Sequence, residues 1–429
     1  MQPFARFTAL FKAPDLRKRL LVIIGLLVVF RIISHIPVPG IEAESLRNFF
    51  AGNNLLGLVS IFSGGGLTRL SIGMLGVGPY ITSSIVMQLL TVIIPSLERL
   101  QKEEGEAGRQ KIQMYTRILS VPLAVVQAFA LLTMLQRGSA GSGGPAVLFA
   151  PSQFLITLLI VTAGSVLLMW IGELISEKGL GNGASLIIFV GIIAQAPQAM
   201  QQVFALFDPT KIPVYLVLAL MAIIVTAGVV FVTEAQRNIP VSYAKRIRGG
   251  RLMGGVSTHL PLRVNQAGVI PIIFALSLLL FPGFIAQVLA TSKNAMIASA
   301  SNTIVSLFNN NIFYGLFYFL LVVVFTYFYT AVTFDPKRIA EHLQKQGGFI
   351  PGIRPGQATQ KYLKFVTNRI TLAGALFLGV IAVLPLVVQG FTHISALTIG
   401  GTGLLIVVSV ILETMKQIDA QLTLREYES

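Results

Sequence analysis

The sequence predicts an all-α polytopic membrane protein, and three observations carry that fold class. The first is composition: 54% of the 429 residues are hydrophobic and only 11% are charged, with a mean hydropathy of +0.78. A soluble domain carries about 25% charged residues. The second is the gathering of apolar residues into runs near the roughly 20 residues that a helix needs to cross a bilayer. Ten runs are expected to span, near Leu20–Ile36, Ile72–Ile94, Ile118–Leu135, Phe154–Ile175, Ser185–Phe207, Pro213–Thr233, Ala267–Leu289, Ile312–Phe334, Ile370–Val388 and Thr398–Met415. They do not alternate as barrel strands do, and a helix satisfies its own backbone in lipid. The third is the placement of basic residues. With the N-terminus in the cytoplasm, cytoplasmic segments hold 26 Lys and Arg, external segments hold 5, and Arg31 falls inside the first run. This asymmetry places both termini in the cytoplasm.

Each element follows from local signals. Five basic residues precede the first run, in MQPFARFTALFKAPDLRKRLL, and no small-residue cleavage site follows it. It is therefore expected to be a retained span rather than a signal peptide. The next apolar stretch, LLGLVSIFSGGGLT (Leu55–Thr68), runs only about half the spanning length before three glycines interrupt it. Glycine does not continue a helix cheaply and permits a sharp reversal, so this stretch is expected to be re-entrant. The second run opens with LGVGPYI (Leu75–Ile81) and the seventh with NQAGVIPII (Asn265–Ile273). Both place Gly and Pro at the start of a run, where proline is tolerated. These are the second runs of a first five and a second five, so residues 1–207 and 208–429 are expected to form two five-helix halves of inverted topology. Matched interruptions in such halves point to a pathway at their interface.

Two cytoplasmic loops are long and basic: Glu234–Arg263, and Asp335–Arg369 with its GGFIPGIRPG. Their Pro, Gly, aromatic and basic residues suit a shaped surface for RNA or an acidic protein. The same arginines equally serve to hold the loops inside. The excess of 32 Lys and Arg over 17 Asp and Glu, net +15, is accounted for by topology in either case.

What is missing narrows the function. There is no cysteine, hence no disulfide or thiolate metal site. The four histidines, His35, His259, His342 and His393, are scattered. No HExxH, GxSxG or GxxxxGK[ST] occurs, so no catalytic residue, metal site or cofactor is expected. GLGNGAS (Gly179–Ser185) follows no strand and reads as a tight turn. The run interiors hold almost no ionisable group beyond Arg31 and Glu173, whereas ion-coupled transport usually needs them. The residues alone leave a passive conduit and an inverted-repeat transporter of a small solute both open, with a membrane scaffold or intramembrane enzyme behind them.

A set of motifs then identifies a family. IPVPG (Ile36–Gly40), FSGGGLTRLSI, GVGPYITSSIVMQLL, GLGNGASLIIF, STHLPLRVNQAGVIPIIFA, FIPGIRPGQAT and GGTGLLIVVSVILETMKQI (Gly400–Ile418) occur in order, and the chain resembles the SecY family, the channel subunits of the bacterial protein-conducting translocon. The resemblance implies two halves clamping an hourglass pore in the cytoplasmic membrane of a bacterium. It implies that about residues 55–70 form a plug, a re-entrant half-helix that closes the pore from outside, with Leu58, Ile61, Phe62, Ser63, Gly64, Gly65 and Gly66 in it. It places the pore ring on Ile81, Ile85, Ile188, Ile192, Ile273 and Ile406. Spacing adds that 81/85 and 188/192 each share a helix face. A narrow apolar ring resists wetting and ion flow. A lateral gate between the second and third and the seventh and eighth spans would include Thr82, Gln88, Gln127 and Phe281. The basic loops would dock the ribosome or the ATPase SecA through Arg246, Arg248, Arg251 and Arg354. Further implied partners are small SecE-like and SecG-like membrane subunits, signal peptides, nascent chains and membrane lipids.

Overall fold

The computed structural model describes residues 14–39, 63–67, 69–141, 150–179, 181–197, 201, 212–243, 246–248, 251–253, 257–289, 294–392 and 398–428. In chain order the helices are α1 (Pro14–Ile33), α2 (Gly78–Ile93), α3 (Pro95–Lys102), α4 (Gly105–Gly141), α5 (Pro151–Glu177), α6 (Gly183–Ile193) and α7 (Ile212–Glu234). After four strands follow α8 (Ile270–Leu289), α9 (Ala295–Asn309), α10 (Asn311–Thr333), α11 (Pro336–Lys345), α12 (Gln357–Thr392) and α13 (Thr398–Glu428). The strands are β1 (Gln236–Tyr243), β2 (Arg246–Arg248), β3 (Arg251–Met253), β4 (Ser257–Arg263) and, between α11 and α12, β5 (Gly348–Phe349).

Helix starts fall where the sequence supplies a proline or a cap. Proline opens α2, α3, α5 and α11, where its missing N–H costs nothing. The Asn182 side chain accepts from the amides of Ala184 and Ser185 (3.0 and 3.3 Å) and caps α6. Asp335 caps α11 in the same way through Lys337 and Arg338. GLGNGAS is the expected turn, with Gly179 and Gly181 at φ +75° and +130°.

Among the described residues, five helices are long and apolar enough to cross a membrane: Gly105–Thr133, Pro151–Glu177, Tyr215–Glu234, Ile312–Lys345 and Gln357–Val388. The pair α2 and α3, bent by 102°, makes a sixth if counted as one span. Four runs depart from their expected bounds. The second becomes helical only at Gly78, because Gly64, Gly65 and Gly76 adopt positive φ and the chain before α2 runs as successive turns. The fifth is continuous helix only over Gly183–Ile193, and turns at Ala194 and Gln195 just before Pro197. Its expected remainder lies mostly outside the described residues. The third and ninth are longer than any bilayer requires, at 37 and 36 residues.

The chain packs as two compact units, one within residues 1–212, 276–314 and 393–429, the other within 213–275 and 315–392. In the first unit, α5 is the hub, and glycine sets its distances. A Cβ on Gly183 of α6 would fall 1.8 Å from the carbonyl oxygen of Gly172, and one on Gly164 would fall 2.2 Å from that of Ile72. Small residues of this kind let backbones touch where no hydrophobic effect drives helices together. A core of Val38, Leu67, Leu70, Met74, Leu75, Leu131, Leu132 and Leu135 joins the segment before α2 to α4 and α5.

In the second unit the loop Glu234–Arg263 is a folded hairpin. β1 pairs antiparallel with β4 from Gln236↔Arg263 to Ser242↔Ser257, and the far edge of β1 pairs with β5 at Ser242↔Phe349. Ile239, Leu262, Ile350, Leu363 and Val366 form its core, with Phe334, Ile339 and Tyr362 packed around them. This sheet obeys the rules of water-soluble domains: β1 buries Ile239 and Val241 and exposes the residues between and before them.

The close approach of α5 and α6 predicts that Gly183→Ala abolishes accumulation of folded protein, since the methyl group meets an immovable backbone carbonyl. Gly25→Ala, which adds a methyl group with nothing within 4 Å, should accumulate normally. Size-exclusion profiles of detergent extracts compare the two, and a normal Gly183→Ala profile contradicts the packing described.

Candidate functional site

The site is built around irregular backbone. Between α1 and α2, residues 63–67 and 69–77 form successive turns that are almost wholly buried. Non-helical backbone at membrane depth survives only where protein satisfies it, and here it does. Ser71 N bonds to Gly66 O (2.8 Å), Met74 N to Ser71 O (3.0 Å) and Gly76 N to Gly73 O (2.9 Å). Ser165 of α5 donates to Gly76 O (3.1 Å), and Ser63 Oγ accepts from Leu67 N (3.0 Å). The segment after α1 joins in: Val38 N reaches Leu70 O and Ile72 N reaches Ile36 O (2.9 and 3.0 Å).

Of the plug residues, Ser63, Gly64, Gly65 and Gly66 are described, and Leu58, Ile61 and Phe62 lie outside the described residues. The three glycines serve different ends. Gly64 and Gly65 take φ of +62° and +83°, the left-handed region that favours glycine. Gly66 is needed for closeness, because its Cβ would meet Ser71 Oγ at 2.7 Å. Gly64 is also wedged: its Cβ would lie 2.8 Å from Phe30 Cζ of α1 and 3.0 Å from the α-carbon of Gly191 on α6. The turn therefore rests on α6 beside Ile192.

Ile188 is fully buried on α6 and Ile192 is part-buried one turn further on. A Cβ on Gly403 of α13 would be 3.1 Å from Ile192 Cγ2. The structure thus brings Ile192 against the helix that carries the buried Ile406. Ile81 and Ile85 are buried one turn apart on α2. Ile273 is buried on α8 in the second unit.

Thr82 and Gln127 meet: Gln127 Nε2 donates to Thr82 Oγ1 (3.3 Å), which itself donates to Gly78 O (3.0 Å). Gln88 donates to Ser84 Oγ (3.2 Å) while its Oε1 is buried without a partner. Phe281 belongs to α8, and its side chain lies outside the described residues. Glu173 bonds Arg117 across α5 and α4 at 2.7 Å, so the one acid near the inner end of the fourth run is neutralised within the bundle. Among the described residues no group of His, Asp and Glu could hold a metal ion.

The basic loops converge on one sheet. Arg246 and Arg248 lie on β2 and Arg251 on β3, paired Arg248↔Arg251. Arg354 is exposed in the turn after β5, and its carbonyl accepts from Thr359 Oγ1 (3.0 Å). β5 pairs antiparallel with the last residues of β1, so both loops contribute to one three-stranded sheet, β4–β1–β5, while β2 and β3 form a separate two-stranded one. Sequence reasoning marked Arg31 inside the first run but gave it no role: Arg31 of α1 donates from Nη1 to Gly64 O (2.9 Å). Its position inside an apolar run was the available signal.

Comparison with known proteins gives a consistent result. A family model described as SecY matches residues 71–415. The chain is 43% identical over 433 residues to the protein translocase subunit SecY of Streptomyces coelicolor, and 42% identical over 438 residues to that of Mycobacterium bovis. Each alignment covers 98% of both chains. Among solved structures, a protein-conducting channel superposes with a TM-score of 0.61 at 19% identity, covering 92% of this chain and 90% of that one. A SecY structure described for its plug domain gives 0.58 at 20%, covering 92% and 89%.

The Thr82–Gln127 contact predicts a small but measurable coupling between α2 and α4. A double-mutant cycle with Thr82→Val and Gln127→Leu should return about 0.6 kcal/mol in thermal unfolding of the purified protein. Strict additivity would place the two side chains apart.

Proposed function

The chain belongs to the SecY family, and from that premise we propose how it works as the central channel subunit of the Sec translocon. It is a multi-pass membrane protein that conducts unfolded secretory proteins across the membrane and releases apolar helices into it. In this reading residues 1–207 and 208–429 are the two inverted halves, together supplying ten spans. The membrane is the bacterial cytoplasmic membrane, with both termini on the cytoplasmic side.

The observation that carries the mechanism is the seat of the glycine turn, with Gly64 against Gly191 and Ile192 the next residue along α6. In this reading a short apolar segment ending in that turn stops a pore lined by Ile81, Ile85, Ile188, Ile192, Ile273 and Ile406. Aliphatic side chains offer water no hydrogen bond, so the ring stays dry around nothing or around a passing chain. A sufficiently apolar segment leaves sideways past Thr82, Gln88, Gln127 and Phe281, driven by about 0.8 kcal/mol per buried CH₂. The protein performs no catalysis in this scheme. Energy comes from a cytoplasmic partner, the ribosome or SecA, seated on Arg354 and on Arg246, Arg248 and Arg251. Arginine forks onto phosphate and carboxylate alike. SecE-like and SecG-like subunits complete the assembly.

Two experiments test this. The chain has no cysteine, so single cysteines at Ile192 and at the exposed Val217 (56% accessible) can each be challenged with an arrested precursor carrying one cysteine. A disulfide at 192 and not at 217 is expected. Equal reaction at both sites, or at neither, removes the ring and restores a small-solute transporter. Arg354→Glu should leave assembly and helix insertion intact and reduce SecA-driven export at least about tenfold, the size of one lost charge-assisted bond. Normal export by that variant removes Arg354 from the docking surface.

A further inference from the structure

The last helix is longer than a lipid crossing needs. The 31 residues of α13 make a rod of about 46 Å, against a hydrocarbon core of about 30 Å. In the topology proposed above, its final turns therefore stand in the cytoplasm. One stripe of α13 changes character along the way. Gly403, Ile406, Val410, Thr414, Gln417 and Gln421 follow one another at helical spacing and share a face. The first three are buried and apolar, and the last three are half-buried and polar.

That stripe runs along α6 and the turn before it. At one end, a Cβ on Gly403 would meet Ile192 Cγ2 at 3.1 Å. At the other, Gln421 Nε2 donates to Gly179 O at 2.7 Å. Between them, a Cβ on Gly181 would meet Gln417 Oε1 and Thr414 Oγ1, each at 3.7 Å. The two helices are thus antiparallel neighbours from the end of α6 back past its start. The turn is closed from within, since Gly183 N donates to Ser176 Oγ (2.8 Å) and Asn182 caps α6. The Gly179 carbonyl lies just past the end of α5, where a helix leaves acceptors without partners of its own. Arg19 of α1 is a second neighbour there, with Nη1 3.7 Å from a Cβ placed on Gly179. The bond from Gln421 is the one that ties the turn to α13. By chain order α13 ends the second of the proposed halves, yet it packs in the compact unit that holds α6.

We propose that Gln421 is a positioning residue for the pore ring: its side-chain amide pins the cytoplasmic end of α13 to the α5–α6 turn, about 27 Å along the helix from Gly403, and so keeps Ile406 level with the isoleucines of α6. This rests on the reading of Ile188, Ile192 and Ile406 as ring residues, and the experiment separates the two. The complete complex, with cysteine-free small subunits, carries spin labels on cysteines replacing the exposed Lys178 and Ala420. The chain has no cysteine of its own. The label separation reports the seat of α13 on the turn. Ion conductance of vesicles holding the unlabelled complex reports the seal. Gln421→Met keeps length and removes the donor. The share of a second, longer separation should then rise about fivefold, the size of one hydrogen bond, and conductance should rise with it. Gln421→His keeps a ring N–H donor and should stay close to the unsubstituted chain in both readouts.

An unchanged separation in Gln421→Met overturns the proposal, whatever the conductance does. So does an equal change in Gln421→Met and Gln421→His, because the donor is then not the cause. A longer separation without added conductance leaves Gln421 holding α13 to the turn and removes the ring reading instead. If Gln421→Met does not assemble, Gln421→Ala is read in the same way.

Discussion

The structure depends on one constraint: backbone that is not helical must still be satisfied at membrane depth. Lipid offers no hydrogen bonds, and each orphaned peptide group there costs several kcal/mol. The chain meets this by wrapping Ser63–Val77 in protein. Ser165 and the extended residues after α1 supply bonds to it, and leucines from α4 and α5 cover it. The glycine contacts of α5 follow from the same need. Gly164 exists at its position because the carbonyl of Ile72 must pass there, and Gly73 because Leu168 does. The late start of α2 is thus a condition for keeping a turn inside the membrane.

A second solvent governs the rest. Past Glu234 the chain leaves lipid and behaves as a small soluble domain, with an alternating strand, a hairpin and a buried cluster around Ile239 and Leu363. The exposed Leu216, Leu220, Ile223 and Ile224 of α7 and the buried Ile239 fifteen residues after the last of them obey opposite rules. What connects the two regimes is α12, which runs from Gln357 beside the sheet to Thr392 with Pro385 inside it.

Much of this was legible in the sequence, and the illegible parts share a cause. Runs and basic loops could be read because solvent acts on each residue independently: Lys and Arg stay in water, Leu and Ile in lipid. The stop at Gly64–Gly66 could be read because three consecutive glycines have few structural uses. The start of α2 at Gly78 could not, since Ile72–Val77 is as apolar as a helix and is irregular through the positive φ of Gly76 and its contacts with α5. The sheet was hidden in the same way: Ile239, Val241 and Leu262 look like scattered apolar residues in a basic loop until β1 and β4 pair. The isoleucine faces are intermediate. Spacing put 81 with 85 and 188 with 192, but the neighbourhood of Ile192 rests on Gly403 and Gly191, residues whose meaning lies in what they omit. Arg31 was visible as an anomaly, but its acceptor, thirty-three residues away, was not.

In the proposed reading as a channel, a seal must be both tight and reversible. A closure held by many polar bonds would need a correspondingly large input to open. Moving a two-state element from closed to open populations takes about 5.5 kcal/mol of differential binding. A hydrogen bond from a charged donor contributes about 1.5–3 kcal/mol, and a ring of isoleucines contributes none that depends on a specific partner. An apolar helix of even modest length gains more than that on reaching lipid, at about 0.8 kcal/mol per CH₂. In the proposed channel reading, the opening cost is therefore met by the cargo's own transfer into lipid rather than by a bond to any one partner.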